Sequence, residues 1–429
     1  MKIKNIAALQ ILDSRGNPTV QATVILENGL SASASVPSGA STGSYEAVEL
    51  RDGDKTCYGG AGVLQAIKNI EEKIAPALVG QEVSEQEKID NLMIALDGTE
   101  NKANLGANAI LGVSMAVARA AAMSLGEPLY KYLSRFNPDF SGKYIMPVPM
   151  MNVLNGGKHA NWATDIQEYM ILPIGAKSIS EAVRMCAEIY QTLKKVLKEK
   201  NYNISVGDEG GFAPAVSSNE ETFILLSEAV QKAGYQLGQD IIFGIDAAAT
   251  EFFNNGSYEL KKENKTMASD ELIAFYQDIA SRYPIMSFED VLAEDDWEGF
   301  KKFTNSFNPA VQVVGDDLYV TNTKRLERGI QEKTTNSILI KLNQIGTLTE
   351  TIAAVNKAHA NGMTAVISHR SGETEDAFIA DLVVALGTGQ IKTGAPARSE
   401  RTAKYNRLLA IEAELGSDSQ YATFPFSIK

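Results

Sequence analysis

From residue 143 onward, short apolar runs alternate with amphipathic stretches. The runs are VPMMNVLN, EYMILPIG, DIIFGIDA, PIMSFED, VQVVGDD, SILIKLN, TAVISH and QIKTG. Each has strand length. Segments between them, such as residues 347–360 with a Thr cap and a stop at Gly362, carry a helical pattern. Strand–helix alternation predicts a parallel sheet, and eight strands predict a (β/α)8 TIM-like barrel. Two apolar runs precede the first long helical stretch, residues 178–197, so the barrel is expected to open irregularly as ββαα. Upstream the pattern differs. The first 36 residues favour strands, with residues 19–26 and 30–36 flanking the turn signal ENG. Residues 60–136 read as helical, and Ala107–Leu125 has the composition of a buried helix. Between them SGASTGSYEA is small and polar, the composition of a mobile loop. The predicted fold class is α/β: a barrel over residues 143–429, preceded by a smaller α+β domain over residues 1–136.

Composition narrows the partners. The chain has 429 residues, 44% hydrophobic and 22% charged, with a net charge of -13. That balance argues against a nucleic-acid surface, and any anionic substrate would need a local basic pocket. The two cysteines, Cys57 and Cys186, are far apart in sequence and fit a reducing compartment better than a disulfide scaffold. The N-terminal apolar stretch is broken by Gln10, Asp13 and Arg15, unlike a signal peptide. The apolar runs are expected to be too short to span a membrane. The expectation is a cytoplasmic protein with no membrane insertion.

Chemistry collects at the ends of the late runs. They finish on Asp246, Glu289, Asp316, His369 with Arg370, and Lys392, while Lys341 sits inside SILIKLN. In a (β/α)8 barrel all C-terminal strand ends meet at one face, so these residues should converge. Three carboxylates brought to about 4 Å repel by about 4 kcal/mol per pair at an effective dielectric near 20. A hard divalent cation, magnesium before zinc, would relieve that; salt bridges to Lys341 and Lys392 are the alternative. A lysine buried as Lys341 should be is paired, neutral or working. VGDEGGFAP offers Asp208 and Glu209, NVLNGGKHANW offers His159, and DIQEYM offers Gln167 and Glu168. Of the three histidines, His359 falls within a helical pattern and is expected to be structural. Arg370 and Ser371 suit phosphate or carboxylate, although Arg370 could instead pair with Glu373 or Glu375.

LDSRGNPTV, VPSGASTG, NGGKHA, QEYMILP, VGDEGGFAP, SFED, VGDDLYVTN, IKLNQIGTLTET, SHRSGETED and KTGAPARSERTAKYN run through nearly the whole chain. In these segments the protein resembles the enolase family. The resemblance implies reversible dehydration of 2-phospho-D-glycerate to phosphoenolpyruvate in glycolysis. It also implies two Mg2+ ions per site and a homodimer, further assembled in some bacteria. Carried over by motif, Lys341 would be the general base and Glu209 the general acid, held protonated by its enclosure. Asp246, Glu289 and Asp316 would bind one metal, and Ser41 the second. Arg370 and Ser371 would hold the phosphate and Lys392 the substrate carboxylate. His159, Gln167, Glu168 and His369 would line the pocket. Such a site requires Lys341 to be neutral in the working complex and Lys392 to stay charged.

Three positions depart from the family pattern in ways that bear on loops: Val291 after Glu289-Asp290, Lys158 before His159, and Trp162 in the same loop. Ala397 also stands where Cys is frequent. None removes a chemical group. Two alternatives stand beside the main expectation. One is another acid–base enzyme of the enolase superfamily. The other is an additional, non-catalytic binding role.

Overall fold

The computed structural model describes residues 1–39, 43–307 and 310–426, apart from the side chain of His159. The chain begins as an antiparallel meander of β1 (Ile3–Leu12), β2 (Pro18–Leu26) and β3 (Ser31–Ser35). The register Ile25↔Ser31 to Gln21↔Ser35 places the hairpin turn at the ENG signal. Alternate residues of β2 (Val20, Ala22, Val24, Leu26) are fully buried, the period of a half-covered sheet. The helix Ala107–Leu125 covers that face, and Gly112 sets the spacing. A Cβ there would stand 3.3 Å from both Ala22 Cβ and Val36 Cγ2. By length and composition this helix is apolar enough to cross a membrane, contrary to the expectation from sequence, and 78% of its window is buried inside the fold.

At the start of the second predicted domain, β4 (Tyr144–Met146) pairs in parallel with β16 (Ser419–Tyr421) near the other end of the chain. Eight strands then close the barrel. They are β5 (Val148–Asn155), β6 (Glu168–Leu172), β7 (Ile242–Asp246), β11 (Ile285–Glu289), β12 (Gln312–Gly315), β13 (Ser337–Ile340), β14 (Thr364–Ser368) and β15 (Gln390–Lys392). The short strands β8 (Phe253–Asn254), β9 (Ser257–Leu260) and β10 (Lys265–Met267) form a separate sheet after β7. The helices Ile179–Glu199 and Asn219–Lys232 both follow β6, so the barrel opens ββαα as expected.

The sheet is not wholly parallel. β6 runs antiparallel to both β5 and β7. Residues 156–167 connect β5 to β6 with only a short 3-10 turn, and a parallel return is usually made through a crossover helix, which this connection lacks. This reversal has a chemical consequence. It brings the first residue of β6 to the rim where parallel strands end, and the register aligns Glu168 with Asp246 and Asp246 with Glu289.

Lower in the lumen the filling is polar but satisfied. Gln312 donates to Ser337 (3.2 Å), Thr364 (3.0 Å) and Gln390 (2.8 Å), and accepts from Ser287 (2.9 Å). Both cysteines are free thiols. Cys57 is exposed, while Cys186 is buried in the helix Ile179–Glu199, where burial pushes its thiol far above the ordinary range. One of the two thiols is therefore expected to react with a thiol reagent at about pH 8 in the native protein, and both in denaturant. Reaction of both in the native protein would contradict this packing.

Candidate active site

Strand ends and the loops after them deliver the side chains. Lys392, the last residue of β15, is buried and points among the β6–β7–β11 carboxylates. Its Nζ donates to Asp246 Oδ2 (2.9 Å) and Glu289 Oε1 (2.8 Å), and lies 3.2 Å from Glu168 Oε1. Lys341 follows β13, where its backbone N–H donates to Thr321 Oγ1 at 2.9 Å. Its ammonium pairs with Asp316, which also accepts from Gln344 Nε2 at 2.8 Å. Glu209 reaches the same pocket from the VGDEGG turn. Its Oε2 accepts from Asn152 Nδ2 at 2.9 Å, and its Oε1 stands 3.6 Å from His369 Nε2. Arg370 sends both terminal nitrogens to Glu46 (2.9 and 3.1 Å) and one to Asn343 Oδ1 (2.8 Å).

The structure therefore brings together Gln167, Glu168, Glu209, Asp246, Asp316, Lys341, His369, Arg370, Ser371 and Lys392 around one pocket, with Glu289 buried against Lys392. Ser41 and the side chain of His159 lie outside the described residues.

Electrostatics decide the state of each group. Burial works against charge on Lys392, but Asp246, Glu168, Glu289 and Glu209 hold it well above the usual lysine range. Burial would raise Asp246, yet the charge and hydrogen bond of Lys392 keep it low. Glu289 is pushed well above the carboxylate range by burial and by Asp246, with Lys392 pulling the other way. Glu168 is raised likewise, by burial and Glu209. The neutral Lys341 expected in the working complex is not the state of this structure. Burial disfavours its charge and Arg370 and Lys392 repel it, but contact with Asp316 overrides them and holds it protonated. Of the three states open to it, Lys341 is here the paired one.

Carboxylates outnumber cations around the pocket. Asp290 and Asp317, which sequence did not single out, join Asp316 in a group whose ligand oxygens lie within 4.8 Å of one another. Asp290 already accepts from the backbone N–H groups of Asp316 and Asp317, both at 2.8 Å. Glu168 Oε2 and Glu289 Oε2 are buried without a hydrogen-bond partner among the described residues. Unsatisfied buried carboxylate oxygens in an all-oxygen set suit a hard divalent cation, so the residues present fit magnesium. Only Asp316 is shared between the expected ligand trio and this tight group, because Asp246 and Glu289 are joined through Lys392 instead. The doubled acids in SFED and VGDD were the available signal for Asp290 and Asp317. SGASTGSYEA likewise contained Glu46, read only as loop.

A lysine paired with one carboxylate, beside a second that burial cannot neutralise, gives the pocket ionisable groups of both signs. On a closed barrel this defines the acid–base (β/α)8 class. Family profiles narrow it. Residues 3–133 match the enolase N-terminal domain, and residues 143–428 match the enolase C-terminal TIM barrel domain. The chain belongs to the enolase family, which makes it a lyase of the hydro-lyase type.

His369 gives a pH test. Burial, opposed by Glu209 and reinforced by Arg401 and Lys392, holds the ring neutral to well below its ordinary range. The unfolded chain takes up this proton near pH 6.5, while the fold does not. Stability from the neutral ring is thus present above about pH 6.5 and lost as pH falls. Relative to His369→Gln, the wild type should lose up to about 1.4 kcal/mol per pH unit below that point. Urea unfolding at about pH 7.5, 6 and 5 measures it, and parallel pH slopes would contradict it.

Proposed function

We propose that the protein reversibly dehydrates 2-phospho-D-glycerate to phosphoenolpyruvate. One observation carries this: a single pocket is lined by a lysine that can accept a proton, a carboxyl that can donate one, and separate cationic groups for two anions. Lys341 takes the proton from the carbon beside the substrate carboxylate. To do so its Nζ must be deprotonated, so its pairing with Asp316 has to loosen. Glu209 gives its proton to the departing hydroxyl, which leaves as water while the carbon–carbon double bond forms. Removing a proton beside a carboxylate builds a second negative charge on that group, and Lys392, charged and fixed by three carboxylates, is placed to meet it. Arg370 and Ser371 are the proposed phosphate ligands, and Gln167, Glu168 and His369 line the pocket with His159.

Magnesium is the proposed cofactor, two ions per site, with Asp246, Glu289 and Asp316 holding one and Ser41 the second. When bound, it supplies positive charge that compensates the carboxylates and stabilises the substrate carboxylate as charge develops. A lysine or histidine base with one or two magnesium ions is the general pattern of enolase-superfamily sites. Family membership also supports a homodimer and a role in glycolysis, and the cysteine usage supports a cytoplasmic location.

Phosphoenolpyruvate should form from 2-phosphoglycerate with magnesium present and stop on chelation. Absence of turnover with magnesium would sink the reaction; turnover that survives chelation would sink the cofactor. Lys341→Ala is expected to abolish exchange of the substrate's α-proton with solvent and lower kcat about 10³-fold, with an unchanged fold by circular dichroism. Retained exchange would place the base elsewhere.

A further inference from the structure

Arg401 sits on the helix Ser399–Leu415, outside the lining of the pocket, and its side chain is fully buried. A buried guanidinium is tolerated where fixed acceptors surround it. Here the acceptors belong to the two segments that carry the site. Nη1 donates to the carbonyl of Arg370 at 2.5 Å and lies 2.6 Å from His369 Nδ1. Nη2 donates to the carbonyls of Ser371 (2.6 Å) and Asp208 (3.1 Å). One planar group thus joins the strand end bearing His369, Arg370 and Ser371 to the turn bearing Glu209.

Donor chemistry then settles the histidine. A guanidinium has N–H donors and no acceptor. The contact to Nδ1 therefore requires that Nδ1 carry a lone pair, which leaves the ring proton on Nε2. That nitrogen is buried, has no hydrogen-bond partner among the described residues, and stands 3.6 Å from Glu209 Oε1. Gly394 permits the close approach. At φ +80° its absent Cβ would meet the Glu209 carbonyl at 2.8 Å, Arg401 Cδ at 2.9 Å and His369 Cε1 at 3.1 Å.

We propose that Arg401 is a positioning residue that fixes His369 as the Nε2–H tautomer and aims that N–H at Glu209, holding the Asp208–Glu209 turn and the His369–Ser371 strand end in one frame. Its catalytic consequence rests on the role proposed for Glu209; the tautomer does not. A lysine at 401 keeps the charge but loses the planar fork, so it cannot satisfy the same four acceptors.

The test uses the full-length protein labelled with 15N-histidine. The chain has three histidines, and comparison with His369→Gln identifies the one of interest. In the wild type, His369 is expected to show an unprotonated Nδ1 and a protonated Nε2. Arg401→Lys is expected to shift it toward a tautomer mixture. A protonated Nδ1 in the wild type, or an unchanged pattern in Arg401→Lys, overturns the proposal. If Arg401→Lys does not fold, the wild-type spectrum still decides. The kinetic arm measures 2-phosphoglycerate turnover. Arg401→Lys should lower kcat about 100-fold with little change in KM, yet add less than about 3-fold in the His369→Gln background. Equal losses in both backgrounds would mark a purely structural role and overturn the proposal. Absence of wild-type turnover would instead overturn the reaction, with the tautomer spectrum still deciding for Arg401.

Discussion

The structure turns on a charge imbalance held inside one end of a barrel. Glu168, Asp246 and Glu289 lie side by side in register and converge on one ammonium, that of Lys392. A few ångströms of low-dielectric protein make such crowding costly unless each charge is met. The lysine meets part of it, and the rest is visible as carboxyls driven toward their neutral form and as oxygens without partners among the described residues. Everything else about the site follows from managing that surplus. Asp316 takes Lys341, Glu46 takes Arg370, and Asp290 is taken by backbone N–H groups.

These pairings also explain how one fold holds two buried lysines in different electrostatic settings. Lys392 faces several carboxylates at once, so no single rearrangement neutralises its environment, and it stays a cation. Lys341 is held chiefly by Asp316 and is repelled by Arg370 and Lys392. Its protonation therefore depends on the position of one partner. In its proposed role as base, Lys341 need not be neutral in the resting protein, provided it is released when that partner is engaged elsewhere. The hydrogen bond from Gln344 to Asp316 gives that partner a second attachment.

Much of this was legible in the chain. The eight barrel strands stood out because buried strands are apolar throughout and the helices between them are not. Their final residues could be grouped because parallel barrels bring strand ends to one rim. The direction of β6 was not legible from its apolar run alone; it depends on a connection that holds no crossover helix. Even so, Glu168 was singled out, and the reversal explains why the first residue of a strand reaches the rim. The sheet of β8, β9 and β10 was missed because its sequence, FNNGSYELKKENKTM, has little apolar alternation. Asp290, Asp317 and Glu46 were hidden beside acids or loop residues that drew the attention. Arg401 was invisible for a different reason. Its contacts reach residues 31 and 193 positions away, and no periodicity encodes that.

The central claim is that the buried carboxylates form an incomplete charge set that a hard divalent cation completes. Calorimetric titration of magnesium into chelator-treated protein, without substrate, tests it directly. Saturable binding is expected in the wild type and should weaken at least about 10-fold in Glu289→Gln, since removing a ligand or a partner of one typically costs that much. No binding to the wild type, or equal binding to both proteins, would contradict the account.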